Sequence, residues 1–176
     1  MQFANTGAVH LVLEVLAYAA DEAEELGGGR AAITVSGDGS VAVADRGRGT
    51  DTRLDDQGRP VKKPVMATKD LRFFDAVDPE MLPDGQPRRG MSVVAALSTW
   101  LEHTNRRREG SWVQRYEQGM PVTDLTPVAD DDTTGTLVHF APDANLVAGL
   151  PPSSDPAWRL IEQFKPHLLV ELVYAQ

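Results

Sequence analysis

The chain has 176 residues, 41% of them hydrophobic, and a formal net charge of −9. That length supports one globular domain with its own core, and the acidic balance argues against the sequence-independent grip on nucleic acid that a basic surface provides. There is no cysteine, which excludes a disulfide framework, a thiolate metal centre and a cysteine nucleophile. No apolar run reaches the length of a membrane helix and no signal peptide follows Met1, so a cytoplasmic protein without a membrane partner is expected.

Residues 9–26 carry a helical pattern. Val9, Val12, Leu13, Leu16, Ala19, Ala20 and Ala23 recur at i, i+3 and i+4 spacing, and Gly27, Gly28 and Gly29 stop it. Glu14, Tyr18, Asp21 and Glu25 fall on the other side. They form either a solvated acidic face or the wall of a cleft, with Tyr18 between Glu14 and Asp21.

Two strands follow, over 32–36 and 40–44, joined by Gly37-Asp38-Gly39 as a hairpin. The second runs into Asp45-Arg46-Gly47-Arg48-Gly49. Val41, Val43 and Asp45 share one parity and so one face of the sheet, the apolar one. A carboxylate there needs hydrogen-bond donors, and Gly47 and Gly49 let the backbone approach another molecule closely. Asp45 is thus either an acceptor in a ligand pocket or a strand-end cap on the next turn.

From 50 to 90 the pattern weakens, broken by Pro60, Pro64, Pro79, Pro83 and Pro87, with short elements only around 69–77. Such a stretch inside a domain is a lid, a functional loop or a disordered segment. A second helix is expected from Gly90 through Val93, Val94, Ala96 and Leu97 to Trp100 and Leu101. Strands are expected over 104–107, 111–117 and 136–140. In the last of these Thr136 shares its parity with Val138 and Phe140, a second polar group on an apolar face. A connector over 151–156 leads to a final helix over 156–174, and of the two basic clusters, Arg88-Arg89 and 106–108, the second is a solvated turn or a phosphate patch.

The order of these motifs resembles the N-terminal ATPase domain of the B subunits of DNA gyrase and topoisomerase IV, of the GHKL or Bergerat class. The resemblance rests on Glu14 with Asp21-Glu22-Ala23, then Val43-Ala44-Asp45-Arg46-Gly47-Arg48-Gly49. It continues through Gly90-Met91-Ser92, Arg108-Glu109-Gly110, Tyr116-Glu117-Gln118-Gly119 and Thr134-Gly135-Thr136. It implies an α/β (α+β) two-layer sandwich, a mixed β-sheet with helices packed on one face, and ATP or ADP held between helices and lid. Residues 1–176 then form a single nucleotide-binding domain, with 50–90 as lid and 151–176 as connector and helix.

By resemblance, Asp45 accepts from the adenine amino group, Thr136 supports Asp45, Gly49 packs beside the adenine and Arg48 lies next to its pocket. Gly47 belongs to the same turn, Gly90 opens the helix at the phosphates, and Arg108 stands at the pocket rim. Glu14 matches the general base that activates the attacking water. Two positions depart from the family. Tyr18 replaces the asparagine that binds Mg²⁺, and a phenol is a poor ligand for that ion, so no metal ligand is assigned. In the lid, Gly85-Gln86-Pro87-Arg88-Arg89-Gly90 carries Arg88 in place of a glycine and Pro87 in place of an N–H donor. Arg88 either contacts phosphate or fills its space.

These matches imply an adenine-nucleotide-binding domain with an impaired Mg²⁺ and phosphate site, little or no hydrolysis, and no power to alter DNA topology or grip DNA alone. One alternative is a pseudo-ATPase interaction protein whose scaffold binds a protein partner or a small molecule such as an antibiotic of the gyrase pocket. Another is an active ATPase part of a type II topoisomerase, with Mg²⁺ held by Glu14 or Asp21.

Overall fold

The computed structural model describes residues 7–50, 55–58 and 78–175. The short elements expected around 69–77 lie outside them. The first helix, α1, runs over Gly7–Leu26. Its end is a Schellman motif: Gly27, at φ 77°, donates to Glu24 O, and Gly28 donates to Ala23 O. Two strands follow, β1 (Gly29–Val35) and β2 (Val41–Asp45), with Val35 opposite Val41. A short helix α2 (Met91–Ala96) leads into β3 (Ser98–Arg107) and β4 (Gly110–Glu117). The two-residue strands β5 (Met120–Pro121) and β6 (Thr126–Pro127) both pair with β4. The chain then forms β7 (Gly135–Pro142), a 3-10 helix (Pro156–Phe164) and β8 (Leu168–Tyr174).

The strands form one eight-stranded mixed sheet in the order β5-β4-β3-β7-β2-β1-β8, with β6 beside β4. Only β1 and β8 run parallel among the ladders described; the other pairs are antiparallel. Helices cover one face, giving the two-layer α/β sandwich expected. Ile33, Val41, Val43, Leu101, Val138 and Phe140 from the sheet meet Leu11, Val12, Leu16 and Val94 from the helices in a continuous buried core.

Three expectations change. The second helix stops at Ala96 instead of running to Leu101. Ser98 Oγ donates to Val94 O at 2.7 Å, and Trp100 and Leu101 join β3 opposite Ala141 and Phe140. Here cross-strand packing overrides a helical apolar spacing. The final helix is also split. Pro156–Phe164 is a 3-10 helix capped by Asp155, whose side chain accepts from Ala157 N at 2.8 Å. Leu168–Tyr174 is a strand lying parallel to β1. Its residues are apolar at both parities, so the sequence does not separate a strand from a buried helix. The third change concerns α1. Its first three turns are buried on every side, His10 and Glu14 included, so Glu14 does not lie on a solvated face.

Gly135 stands where β7 passes the end of β2, at φ 126°, and a Cβ there would lie 2.2 Å from Asp45 O. Gly135→Ala is therefore expected to destabilise the fold and lower the melting temperature by about 5 °C or more. A thermal unfolding curve checks this, and an unchanged midpoint would contradict the close approach.

Candidate functional site

Two groups of residues face each other along α1. Glu14, Tyr18, Asp21 and Glu22 lie on one side of the helix, and at 1.5 Å per residue they span about 12 Å. The Glu22 end meets the turn after β2. The Glu14 end meets the segment that precedes α2.

At the first end, Asp45 closes β2. Its Oδ2 accepts from Thr136 Oγ1 of β7, and its Oδ1 accepts from Gly47 N at 2.8 Å. Each carboxylate oxygen can accept more than one bond, so Asp45 retains acceptor capacity. Gly47 packs against Glu22, where a Cβ would lie 2.8 Å from Glu22 Cδ. Gly49 has φ 75°, and a Cβ there would meet Arg106 O at 2.5 Å and Asn105 Oδ1 at 2.7 Å. Arg48 folds back on α1, with N and Nε donating to Glu22 Oε1 at 2.6 and 3.0 Å and Nη2 to Glu25 at 2.8 Å. Its side chain is 58% exposed, so these pairs orient the turn more than they stabilise it. A pocket beside Asp45 is lined by Ala19, Glu22, Ala23, Gly47 and Leu168, among others.

Asn105 does not stand out in the sequence, yet it holds this turn. Buried in β3, it accepts from Thr50 N and donates to Thr50 O, both at 2.7 Å. Parity in the sequence does not pick it out, because Leu101, the buried residue that shares its face, fits the helical spacing and the expected strand 104–107 contains no apolar residue. Arg107 of the same strand donates to Gly49 O at 3.3 Å. Arg108 is exposed in the β3–β4 turn.

At the second end, Glu14 is fully buried. Its Oε1 accepts from Arg89 N at 2.7 Å and its Oε2 from Gly90 N at 2.9 Å. Tyr18 OH accepts from Met91 N at 3.2 Å. Arg88 is only 2% exposed; its guanidinium donates to Asp21 at 2.8 and 3.2 Å and to Glu80 at 2.9 Å, and lies 4.8 Å from the centre of the Tyr18 ring. Burial works against its charge, but Asp21 and Glu80 outweigh that and raise its pKa further. Arg88 therefore turns inward onto α1.

His10, one turn before Glu14, is a second residue that sequence reasoning missed. Its Nδ1 lies 2.7 Å from Asp84 Oδ2 and its Nε2 3.5 Å from Glu14 Oε1. Burial alone would lower its pKa, but the hydrogen bonds and charges of Asp84 and Glu14 prevail and push it up to about 9. The imidazolium thus sits between two carboxylates.

These contacts do not suit a divalent cation. The Tyr18 hydroxyl already accepts from the backbone, and its ring carries a guanidinium on one side. Among the described residues, no group of three or more His, Cys, Asp or Glu side chains is arranged to hold a metal. None of the described helices is long and apolar enough to cross a membrane.

No protein-family model matches the chain. Curated proteins do. Over 138 residues the sequence is 36% identical to the DNA gyrase B subunit of Thermotoga maritima, covering 78% of this chain and 22% of that protein. It is 33% identical over 141 residues to the DNA topoisomerase 4 B subunit of Bacillus subtilis, covering 80% and 22%. With its counterpart in Streptococcus pneumoniae it shares 36% over 145 residues, covering 81% and 22%. The chain is a relative of the DNA gyrase and topoisomerase 4 B subunits. It spans about a fifth of the length of these curated relatives.

The His10 cluster sets a pH dependence. The folded protein holds the imidazolium with a pKa of about 9 against an ordinary 6.5. Its stabilising contribution is complete below pH 6.5 and disappears as the pH rises through 9. That shift corresponds to about 3 kcal/mol. The melting temperature is expected to fall between pH 6.5 and 9.5 in the native protein and to change less over that range in His10→Gln. Parallel slopes for the two proteins would refute the assignment.

Proposed function

We propose that the chain is an adenine-nucleotide-binding domain of the gyrase B type that binds ATP or ADP weakly, through the adenine, with little or no hydrolysis. The observation that carries this reading is Asp45. It is a half-buried carboxylate at the end of β2, oriented by Thr136 and Gly47 and followed by two glycines whose Cβ positions are blocked. An adenine amino group is a suitable further donor to it. Gly47, Gly49, Arg48 and Thr136 shape that end, with Arg107 nearer the pocket glycine than Arg108.

The other end supports the absence of efficient turnover. Glu14, the general base by resemblance, gives both oxygens to backbone N–H groups and is held as a structural acceptor in this arrangement. Phosphoryl transfer depends on positioned charge around the phosphates. Tyr18, Arg88 and Gly90 instead bond within the chain. On its own the domain would not alter DNA topology. The inward-bonded Arg88 also favours this reading over an active ATPase.

Asp45→Asn tests it. The amide would set a donor against a donor, and the lost charged hydrogen bond is expected to weaken ATP and ADP binding by about 10- to 100-fold. Circular dichroism should show the fold retained. Calorimetric titration gives the affinities, and an unchanged affinity in a folded variant would remove Asp45 from the site.

A further inference from the structure

Three consecutive backbone N–H groups, those of Arg89, Gly90 and Met91, all donate to side chains of α1: Glu14 Oε1, Glu14 Oε2 and the Tyr18 hydroxyl. Successive N–H groups of this kind form the concavity that binds anions. Here a carboxylate of the same chain fills it. Beside it, the Arg88 guanidinium lies between Asp21, Glu80 and the Tyr18 ring, so the position for a cation is filled from within as well.

We propose that the phosphate half of this site is self-occupied, and that its ligand is a neutral adenine compound of the adenine or adenosine class. This rests on the reading that adenine meets Asp45. A phosphate chain would have to displace Glu14 from donors that it reaches without leaving α1, and a tethered competitor acts at high effective concentration. It would also enter a region where two buried carboxylates, Glu14 and Asp84, already face His10, while the half-exposed Asp21 and Glu80 occupy the buried Arg88 guanidinium. Like charges at a few ångströms repel strongly away from bulk water. A neutral nucleoside meets neither obstacle.

The test is calorimetric titration of the whole chain with adenosine, AMP, ADP and ATP, with and without Mg²⁺. Adenosine is expected to bind, affinity to fall along the series until ATP is about tenfold weaker or more, and Mg²⁺ to leave the order unchanged. ATP binding as tightly as adenosine, or more tightly, would overturn the inference while leaving the adenine reading intact. No binding of any of the four would overturn both. Glu14→Gln removes the competing anion and should narrow the gap between adenosine and ATP several-fold. If that variant does not fold, Tyr18→Phe keeps the ring under Arg88 and releases Met91 N–H, and should narrow the gap in the same direction by less. An unchanged gap in the folded variant would also overturn the inference.

Discussion

A carboxylate with no access to water dictates much of this structure. Glu14 sits in the buried part of its helix, among leucines and valines. A charge there costs several kcal/mol unless it is paired and hydrogen-bonded. The backbone of Arg89 and Gly90 supplies two bonds and His10 supplies the opposing charge. The chain before α2 must therefore return to α1 to complete the interior. His10 extends the same requirement to Asp84, at the turn where Leu82 N donates to Gln86 O.

This divides the site into two parts with different physical origins. The Asp45 end belongs to the sheet. Its groups come from the ends of β2, β3 and β7, whose registers fix Asp45 opposite Ala31 and Asn105 opposite Thr136. Ladder hydrogen bonds hold these positions. The Glu14 end depends on side chains of one helix gripping a connecting segment, so its geometry is set by the balance of charges. The two ends can therefore respond differently to a ligand, although one helix carries both.

The ion pairs follow the same division. Arg48 reaches Glu22 and Glu25 at a water-exposed surface, where such pairs contribute little. Arg88 makes similar contacts to Asp21 and Glu80 while itself almost wholly buried. Removing one partner there would leave a charge poorly compensated, which is far more costly. That asymmetry makes the segment before α2 an integral part of the domain.

The sequence by itself determined the parts whose signals are local. The Gly27-Gly28 stop became a Schellman cap, and the turn glycines placed the hairpin to within a few residues. The parity of Asp45 and Thr136 anticipated that they share a face, and they are in direct contact. Only the tertiary structure decided the rest. Apolar residues at both parities hid β8, whose strand conformation depends on β1 lying beside it. Trp100 and Leu101 fitted a helical spacing until β7 offered them a ladder. The fate of Glu14, Tyr18 and Arg88 depended on a segment more than sixty residues away folding back onto α1. Helical periodicity shows which side chains share a face but not what covers that face. Burial and charge compensation are settled only when distant segments meet.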